Sequence, residues 1–224
     1  AVEEYRASAS MAGRLRAMTV ATVFPAALRL RFDGIDVVHY PLTVPVPPLR
    51  TRVAVTLHDV QHLDLPGMFP RSERAFRKLA YDGAARRADM VIVPTAFVRE
   101  RAIELLRLDP GRVRVIHHGV DHDLFRPAGE ERERFLLYPA KTWPHKNHRR
   151  LLEAFALLRR RQPDLRLVLT GAGTERLAGP PGVEARGALR LPELVGLYRR
   201  AACVVFPSAY EGFGAPPLEA MDCG

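Results

Sequence analysis

The sequence predicts an α/β fold in two domains, each built on a parallel sheet flanked by helices. Three observations carry this. Short runs of β-branched and aliphatic residues recur along the chain, stretches of helical period lie between several of them, and one polar stretch with Pro and Gly interrupts the alternation near the middle. Continuous apolar runs closed by Gly, Pro or polar residues are the pattern of strands buried on both faces. Strand alternating with helix means right-handed crossover units and hence a parallel sheet.

In chain order the strand-like runs are IDVVHYP from Ile35, VAVTLHD from Val53, DMVIVP from Asp89, RVRVIHHG from Arg112, RFLLYPA from Arg134, LRLVLTG from Leu165 and CVVFPS from Cys203. Helical stretches include Ser72 to Arg86, Ala96 to Leu106 and, clearest, His148 to Arg161. In the last, Leu151, Leu152, Phe155 and Leu158 make one apolar stripe and the arginines take the other face. The stretch Arg126 to Glu133, RPAGEERE, reads as an interdomain linker and divides the chain into residues 1–127 and 128–224. No fixed-period repeat or low-complexity tract appears.

Composition narrows the class. The chain has 224 residues, 47% of them apolar and 26% charged, which suits a soluble globular protein with a substantial core. The longest apolar runs, such as Met18 to Leu28, are broken well short of the roughly 20 residues of a spanning helix. The N-terminus AVEEYRASAS has neither an initiator Met nor the layout of a secretory signal, so it reads as an internal starting point. Cys203 and Cys223 have no zinc or disulfide spacing and sit beside apolar residues, as buried thiols of a reducing cytoplasm do.

A net charge of +9 attracts nucleic acid, anionic headgroups or phosphorylated substrates alike. The basic clusters Arg86-Arg87, Arg149-Arg150, Arg159 to Arg161 and Arg199-Arg200 lie on helical stretches and read as solvated faces. Aromatic residues are not interleaved with them, so nucleic acid is not an expected partner.

In open parallel sheets ligands bind beyond the carboxyl ends of the strands. The segments to weigh are therefore His58-Asp59, Thr95, His117 to Gly119, PAKTWPHKN, Gly171 to Gly173, and Ser208 through Glu219. In the last, a turn Glu211-Gly212-Phe213-Gly214 runs into Pro216 and Pro217 and a helix expected from near Leu218. Backbone N–H groups at such a start suit a diphosphate. Glu211 and Glu219 would repel a phosphate, so they either accept hydrogen bonds from hydroxyls or are a loop carboxylate and a helix-start carboxylate.

Only three of the 34 basic residues are lysines, which singles out Lys141 and Lys146: each is either a point charge for a phosphate oxygen or a solvated loop lysine. Trp143 is read as packing its loop. Gly171 and Gly173 fit a tight strand-to-loop turn as well as a ligand. His58 is either paired with Asp59 or satisfied by backbone. His117 and His118, adjacent on an extended segment, face opposite ways and lack a third ligand, so no metal site is expected.

The order HD, PTAFVRE, VIHHGVD, WPHKNH, LVLTGAG and PSAYEGFGAPPLEAM resembles the large family-four group of retaining glycosyltransferases with the GT-B fold, in which two Rossmann-like domains face a cleft. The likeness spans nearly the whole chain; its most specific elements are Glu211 and Glu219, eight apart, and the WPHKNH loop. It implies that Glu211 contacts the hydroxyls of the transferred sugar, the amides of Gly212, Phe213 and Gly214 its diphosphate, and Glu219 the ribose. It implies that Lys146 neutralises the departing diphosphate, that His58 lines the donor sugar from the other domain, and that Gly119 keeps the hinge segment open. Lys141, Gly171 and Gly173 join the donor-binding set, although the offset of Lys141 does not align securely with the family.

The implied reaction moves a hexose, mannose or glucose, from a nucleoside-diphosphate sugar to a glycan or lipid-linked acceptor hydroxyl, with retention and without a metal or other cofactor. The alternatives are a non-catalytic nucleotide-sugar-binding fragment and a sugar-nucleotide epimerase of the same fold. The family's first glycine-rich strand and loop and its last elements have no counterpart, so both domains are expected to be incomplete. The expected setting is the cytoplasm, with basic helix faces held against the anionic inner face of the plasma membrane.

Overall fold

The computed structural model describes Thr19, residues 34–44 and residues 51–224. The AVEEYRASAS segment, and Met18 to Leu28 apart from Thr19, lie outside the described residues. The chain divides into two compact units, Ala1–His117 and His118–Gly224.

In the first unit, β1 (Val37–Tyr40) and β2 (Arg52–Thr56) are followed by the short helix α1 (Gln61–Asp64) and by α2 (Arg71–Arg77). A π-helical turn at Lys78–Asp82 carries α2 on into α3 (Gly83–Arg87). Then come β3 (Met90–Val93), α4 (Ala96–Leu106) and β4 (Val113–Val115). The four strands form a parallel sheet in the order β1-β2-β3-β4. Its core gathers Val55, Leu57, Val91 and Val93 from the sheet with Val98, Ala102 and Leu106 of α4, which recur every four residues on one face. Thr95 starts α4 by accepting the Val98 N–H at 3.2 Å, which satisfies one of the free amides of the first turn.

The second unit contains β5 (Glu133–Pro139), α5 (His148–Arg159), β6 (Arg166–Thr170), β7 (Val183–Ala185), α6 (Leu191–Arg200), β8 (Ala201–Val204) and α7 (Ala215–Asp222). Its parallel sheet has the order β7-β6-β5-β8. Phe135, Leu137 and Val168 pack against Val195, Leu197 and Tyr198 on one face, and Tyr138, Leu167 and Leu169 against Leu151 and Phe155 on the other. Burying each large side chain contributes roughly 1.5–3 kcal/mol before conformational entropy is deducted.

Several expectations change. The break between the units falls ten residues before the linker expected at 127/128, because Phe125 is buried against Tyr198 and Val120 and Leu124 pack on the same core. Arg199 and Arg200 are not a solvated face: Arg199 Nε donates to the Arg126 carbonyl at 2.9 Å, and Arg200 pairs with Glu133 at 2.5 Å, fastening this polar segment. Leu158 is 38% exposed, since α5 buries its stripe only through Leu151, Leu152 and Phe155. Cys223 is buried but Cys203 is exposed, being on β8 at the sheet edge. The helix expected from Leu218 begins at Ala215. Among the described residues no helix is long and apolar enough to cross a membrane.

The turn after β6 is where backbone approach is closest. Gly171 has φ +120, and a Cβ there would lie 2.6 Å from the backbone of Ala140; at Gly173, φ +94, it would lie 2.2 Å from the Thr142 hydroxyl oxygen. Gly196 in α6 has open space and ordinary helical geometry. Gly171→Ala is expected to lower unfolding free energy by about 2–4 kcal/mol, combining backbone strain with overpacking. Gly196→Ala is expected to be neutral or to add about 0.5–1 kcal/mol. Urea unfolding of the two variants checks the contrast.

Candidate functional site

The second sheet builds outward from β5. The chain passes to β6 and β7 on one side and returns to β8 on the other, so the loops leaving β5 and β8 diverge at the carboxyl ends of neighbouring strands. Such a switch point leaves a crevice in which open α/β sheets bind ligands. Here the two loops are sewn together. The Ala209 N–H donates to the His145 carbonyl at 2.7 Å and Asn147 Nδ2 to the Pro207 carbonyl at 3.2 Å. The Tyr138 hydroxyl, at the end of β5, donates to the Lys146 carbonyl at 2.6 Å and lies 3.2 Å from the Ser208 hydroxyl.

This stitching brings together two residues 65 apart in the chain. Lys146 Nζ meets Glu211 Oε1 at 2.5 Å, with the two side chains 15% and 26% exposed. Lys146 Nζ also lies 5.5 Å from the centroid of the Phe206 ring. A charge-assisted bond this poorly hydrated is worth more than a surface ion pair, on the order of 1–3 kcal/mol. The backbone supports it: Asn147 adopts the left-handed conformation, φ 61, and turns the chain from the Pro144–Lys146 turn into α5.

Burial pushes the Tyr138 hydroxyl up to about 12, with the Glu211 charge adding to this and the Ser208 hydrogen bond opposing it. Burial also pushes His148 below the ordinary imidazole range, against a backbone hydrogen bond to Ala140, and the Lys146 charge lowers it further. Its ring centroid lies 4.9 Å from that of Tyr138, so a neutral imidazole backs the loop.

Gly214, at φ +81, introduces α7. Pro216 and Pro217 occupy its first turn and carry no N–H, which removes two of the helix-start donors. Glu219 projects from α7, and its Oε2 accepts the hydroxyl of the buried Tyr198 at 2.7 Å. Burial raises the Tyr198 hydroxyl, and this bond to a carboxylate raises it further. Tyr198 therefore holds one Glu219 oxygen and leaves the other for a second donor.

The remaining expected site residues are placed differently. Lys141 Nζ lies 5.4 Å from the centroid of the Trp143 ring, and Trp143 is 52% exposed rather than packed away. The Gly171 N–H donates to the Gly187 carbonyl at 2.7 Å and the Gly173 N–H to Glu175 Oε2 at 3.0 Å, while the loop after β5 fills the space a Cβ would need at either. Both glycines thus serve the chain's own turn. Gly119 has open space around it. His118 stacks edge-on against Phe213 at 5.0 Å.

In the first unit the His58 Nε2–H donates to the Pro41 carbonyl at 2.7 Å, while Asp59 accepts the Gln61 N–H at 3.0 Å and lies 3.6 Å from Arg77. Ser208 and Asn147 fall within the strand-exit segments that the sequence marks out, but without a role of their own; Tyr138 and Tyr198 were not singled out. Among the described residues no group of three His, Cys, Asp or Glu is placed to hold a metal ion.

The profile of Glycosyltransferase Family 4 matches residues 4–124 and that of Glycosyl transferases group 1 matches residues 121–224. The D-inositol 3-phosphate glycosyltransferases of Mycobacterium tuberculosis (strain H37Rv) and Mycobacterium bovis (strain BCG Pasteur) are 33% identical over 61% of this chain and 33% of theirs. The chain thus spans about a third of the length of the curated relatives it matches.

A glycosyltransferase from Rickettsia africae has a similar fold, with a TM-score of 0.64 at 17% identity, over 99% of this chain and 63% of that one. Anabaena HepE, solved with UDP and glucose, gives 0.60 at 21% identity over 78% and 51%. Sucrose-phosphate synthase of Thermosynechococcus elongatus gives 0.60 at 24% over 78% and 49%. The fold is that of a two-domain, Rossmann-like GT-B protein.

Tyr138→Phe removes the hydroxyl that holds the Lys146 carbonyl, and a loss of about 1–3 kcal/mol at neutral pH is expected. The folded-state value of Tyr138, about 12, lies above the ordinary 10.0, so its contribution is complete below pH 10 and is lost as pH rises through 12. Urea unfolding at neutral and alkaline pH checks this: Tyr138→Phe should show a shallower alkaline loss than the parent.

Proposed function

Because the chain belongs to glycosyltransferase family 4, we propose that it transfers a hexose, mannose or glucose, from a nucleoside-diphosphate sugar to an acceptor hydroxyl, with retention at the anomeric carbon. The observation that carries the reading is the Lys146–Glu211 pair at the switch point of the second sheet. An ammonium beside a carboxylate, with a Gly-rich turn entering a helix next to both, suits a ligand with a diphosphate at one end and hydroxyls at the other.

In this reading the bond between the anomeric carbon and the leaving phosphate oxygen breaks through an oxocarbenium-like state. Negative charge grows on the diphosphate, and Lys146 meets it there. The amides of Gly212, Phe213 and Gly214 hold the remaining diphosphate oxygens. Glu211, freed from Lys146 when phosphate takes its place, accepts hydrogen bonds from the sugar hydroxyls. Glu219, oriented by Tyr198, has one oxygen for the ribose. The acceptor oxygen bonds to the anomeric carbon on the face the diphosphate leaves, and its proton passes to the departing phosphate oxygen.

Lys146 supplies the charge compensation, so the reaction calls for no metal. His58 is assigned to the sugar from the first domain, Gly119 to the segment between domains, and Lys141 to the outer edge of the donor. The acceptor is a glycan or lipid-linked hydroxyl reached from the cytoplasmic side, where two unpaired thiols persist.

Screening nucleoside-diphosphate sugars for thermal stabilisation identifies the donor, and a radiolabel assay then measures transfer. Lys146→Ala and Glu211→Ala should each lose at least about 100-fold in transfer, as removal of one transition-state donor does elsewhere, with unchanged circular dichroism. Wild-type transfer in both would sink the assignment. Donor binding without transfer to any glycan or lipid acceptor would make the chain a binding module instead.

A further inference from the structure

The first unit holds a second polar site that the transferase reading does not use. An open groove of about 390 Å³ runs between α1 and α2, lined by His62, Leu63, Pro66, Arg71, Arg74 and Lys78. Arg71, Arg74 and Lys78 fall at i, i+3 and i+7 and so share one helical face. The nearby carboxylates are taken: Glu73 by Arg77 at 2.8 Å, Asp59 by the Gln61 amide and Arg77, and Asp64 by Arg101. Among the described residues Arg71, Arg74 and Lys78 have no ion-pair partner, so three positive charges line one groove.

At the base of this groove lies His62, 1% exposed. Its Nε2–H donates to Asp82 Oδ1 at 2.9 Å, and Asp82 is equally buried. Asp82 closes the π-helical turn, which inserts an extra residue into the helix and turns its carboxylate towards His62. The other ring nitrogen, Nδ1, is buried without a hydrogen-bond partner. A polar atom kept from water and left unpaired costs about 1–3 kcal/mol, so a built-in ligand for it is expected.

We infer that this groove is a binding site for a phosphate group. A phosphate monoanion satisfies Nδ1 in either state of the ring: its P–O⁻ accepts from an imidazolium, and its P–OH donates to a neutral imidazole. Arg71 and Arg74 offer forked donors and Lys78 a point charge to the outer oxygens. Arg71, Arg74 and Lys78 thus present three positive charges to a ligand in the groove. The group comes either from a soluble phosphomonoester or from a phospholipid headgroup. The site is independent of the donor residues, which are all in the second unit apart from His58.

The test titrates inorganic phosphate and glycerol 3-phosphate into the full chain, following heat and the His62 ring nitrogens by NMR. In parallel, phosphatidylcholine vesicles with and without phosphatidylglycerol are floated with the protein. Arg74→Gln and Lys78→Gln alter only exposed side chains; His62→Asn is tested beside them. Saturable binding that moves the His62 resonances and weakens about tenfold in Arg74→Gln and Lys78→Gln supports the site with a soluble ligand. Flotation specific to phosphatidylglycerol and lost in the same variants supports it with a headgroup. Absence of both, or binding that the variants leave unchanged, overturns it.

Discussion

The candidate site depends on the stitching of two loops across the sheet's switch point. β5 and β8 are neighbours in space but lie far apart in the chain, and their exit loops would diverge if nothing tied them. Two bonds do so directly, from Ala209 to His145 and from Asn147 to Pro207, and the Tyr138 hydroxyl bridges the loops by meeting both the Lys146 carbonyl and the Ser208 hydroxyl. Tyr138 matters most, because it is wholly buried at the end of the strand and its hydroxyl reaches both loops. The Lys146 ammonium is thereby aimed by the rigid sheet rather than by a mobile loop.

Much of this was legible in the sequence, for a physical reason. Strands buried on both faces are continuous apolar runs, so seven of the strand-like runs reappear as strands. β7 was invisible because VEA at Val183–Ala185 is short and half-buried. α6 was read only as the helical stretch carrying Arg199-Arg200, without bounds, because its apolar residues, Val195, Leu197 and Tyr198, are interrupted by Gly196 and follow a proline. A charged segment such as Arg126 to Glu133 looks like a linker in sequence even when arginines from α6 fasten it down. Within the candidate site, Lys146 and Glu211 stood out by residue type, but their contact was not readable. Nor was Tyr138, whose hydroxyl is one polar atom in an otherwise apolar strand.

The glycines make the same point in reverse. Gly171 and Gly173 look like a ligand-binding turn, but the chain's own β5 loop occupies the space beside them. Gly214 also has positive φ, yet only Phe206 comes near its missing side chain, at 3.9 Å. A glycine whose empty side is filled by backbone is there for packing. One whose side is open is available for something that arrives from outside.

The pairing of Lys146 with Glu211 constrains how a donor would enter. Both groups are poorly exposed, and separating them without compensation would leave two charges short of solvent. A neutral sugar could not drive that separation, because its hydroxyls offer Lys146 only dipoles. A diphosphate could, since it presents more negative charge to the ammonium than one carboxylate does and repels that carboxylate at the same time. Glu211 then swings from cation to hydroxyl, a partner compatible with its charge. Under the proposed function the ion pair would thus be a latch that opens to a ligand with both parts, the diphosphate to take Lys146 and the sugar to receive Glu211.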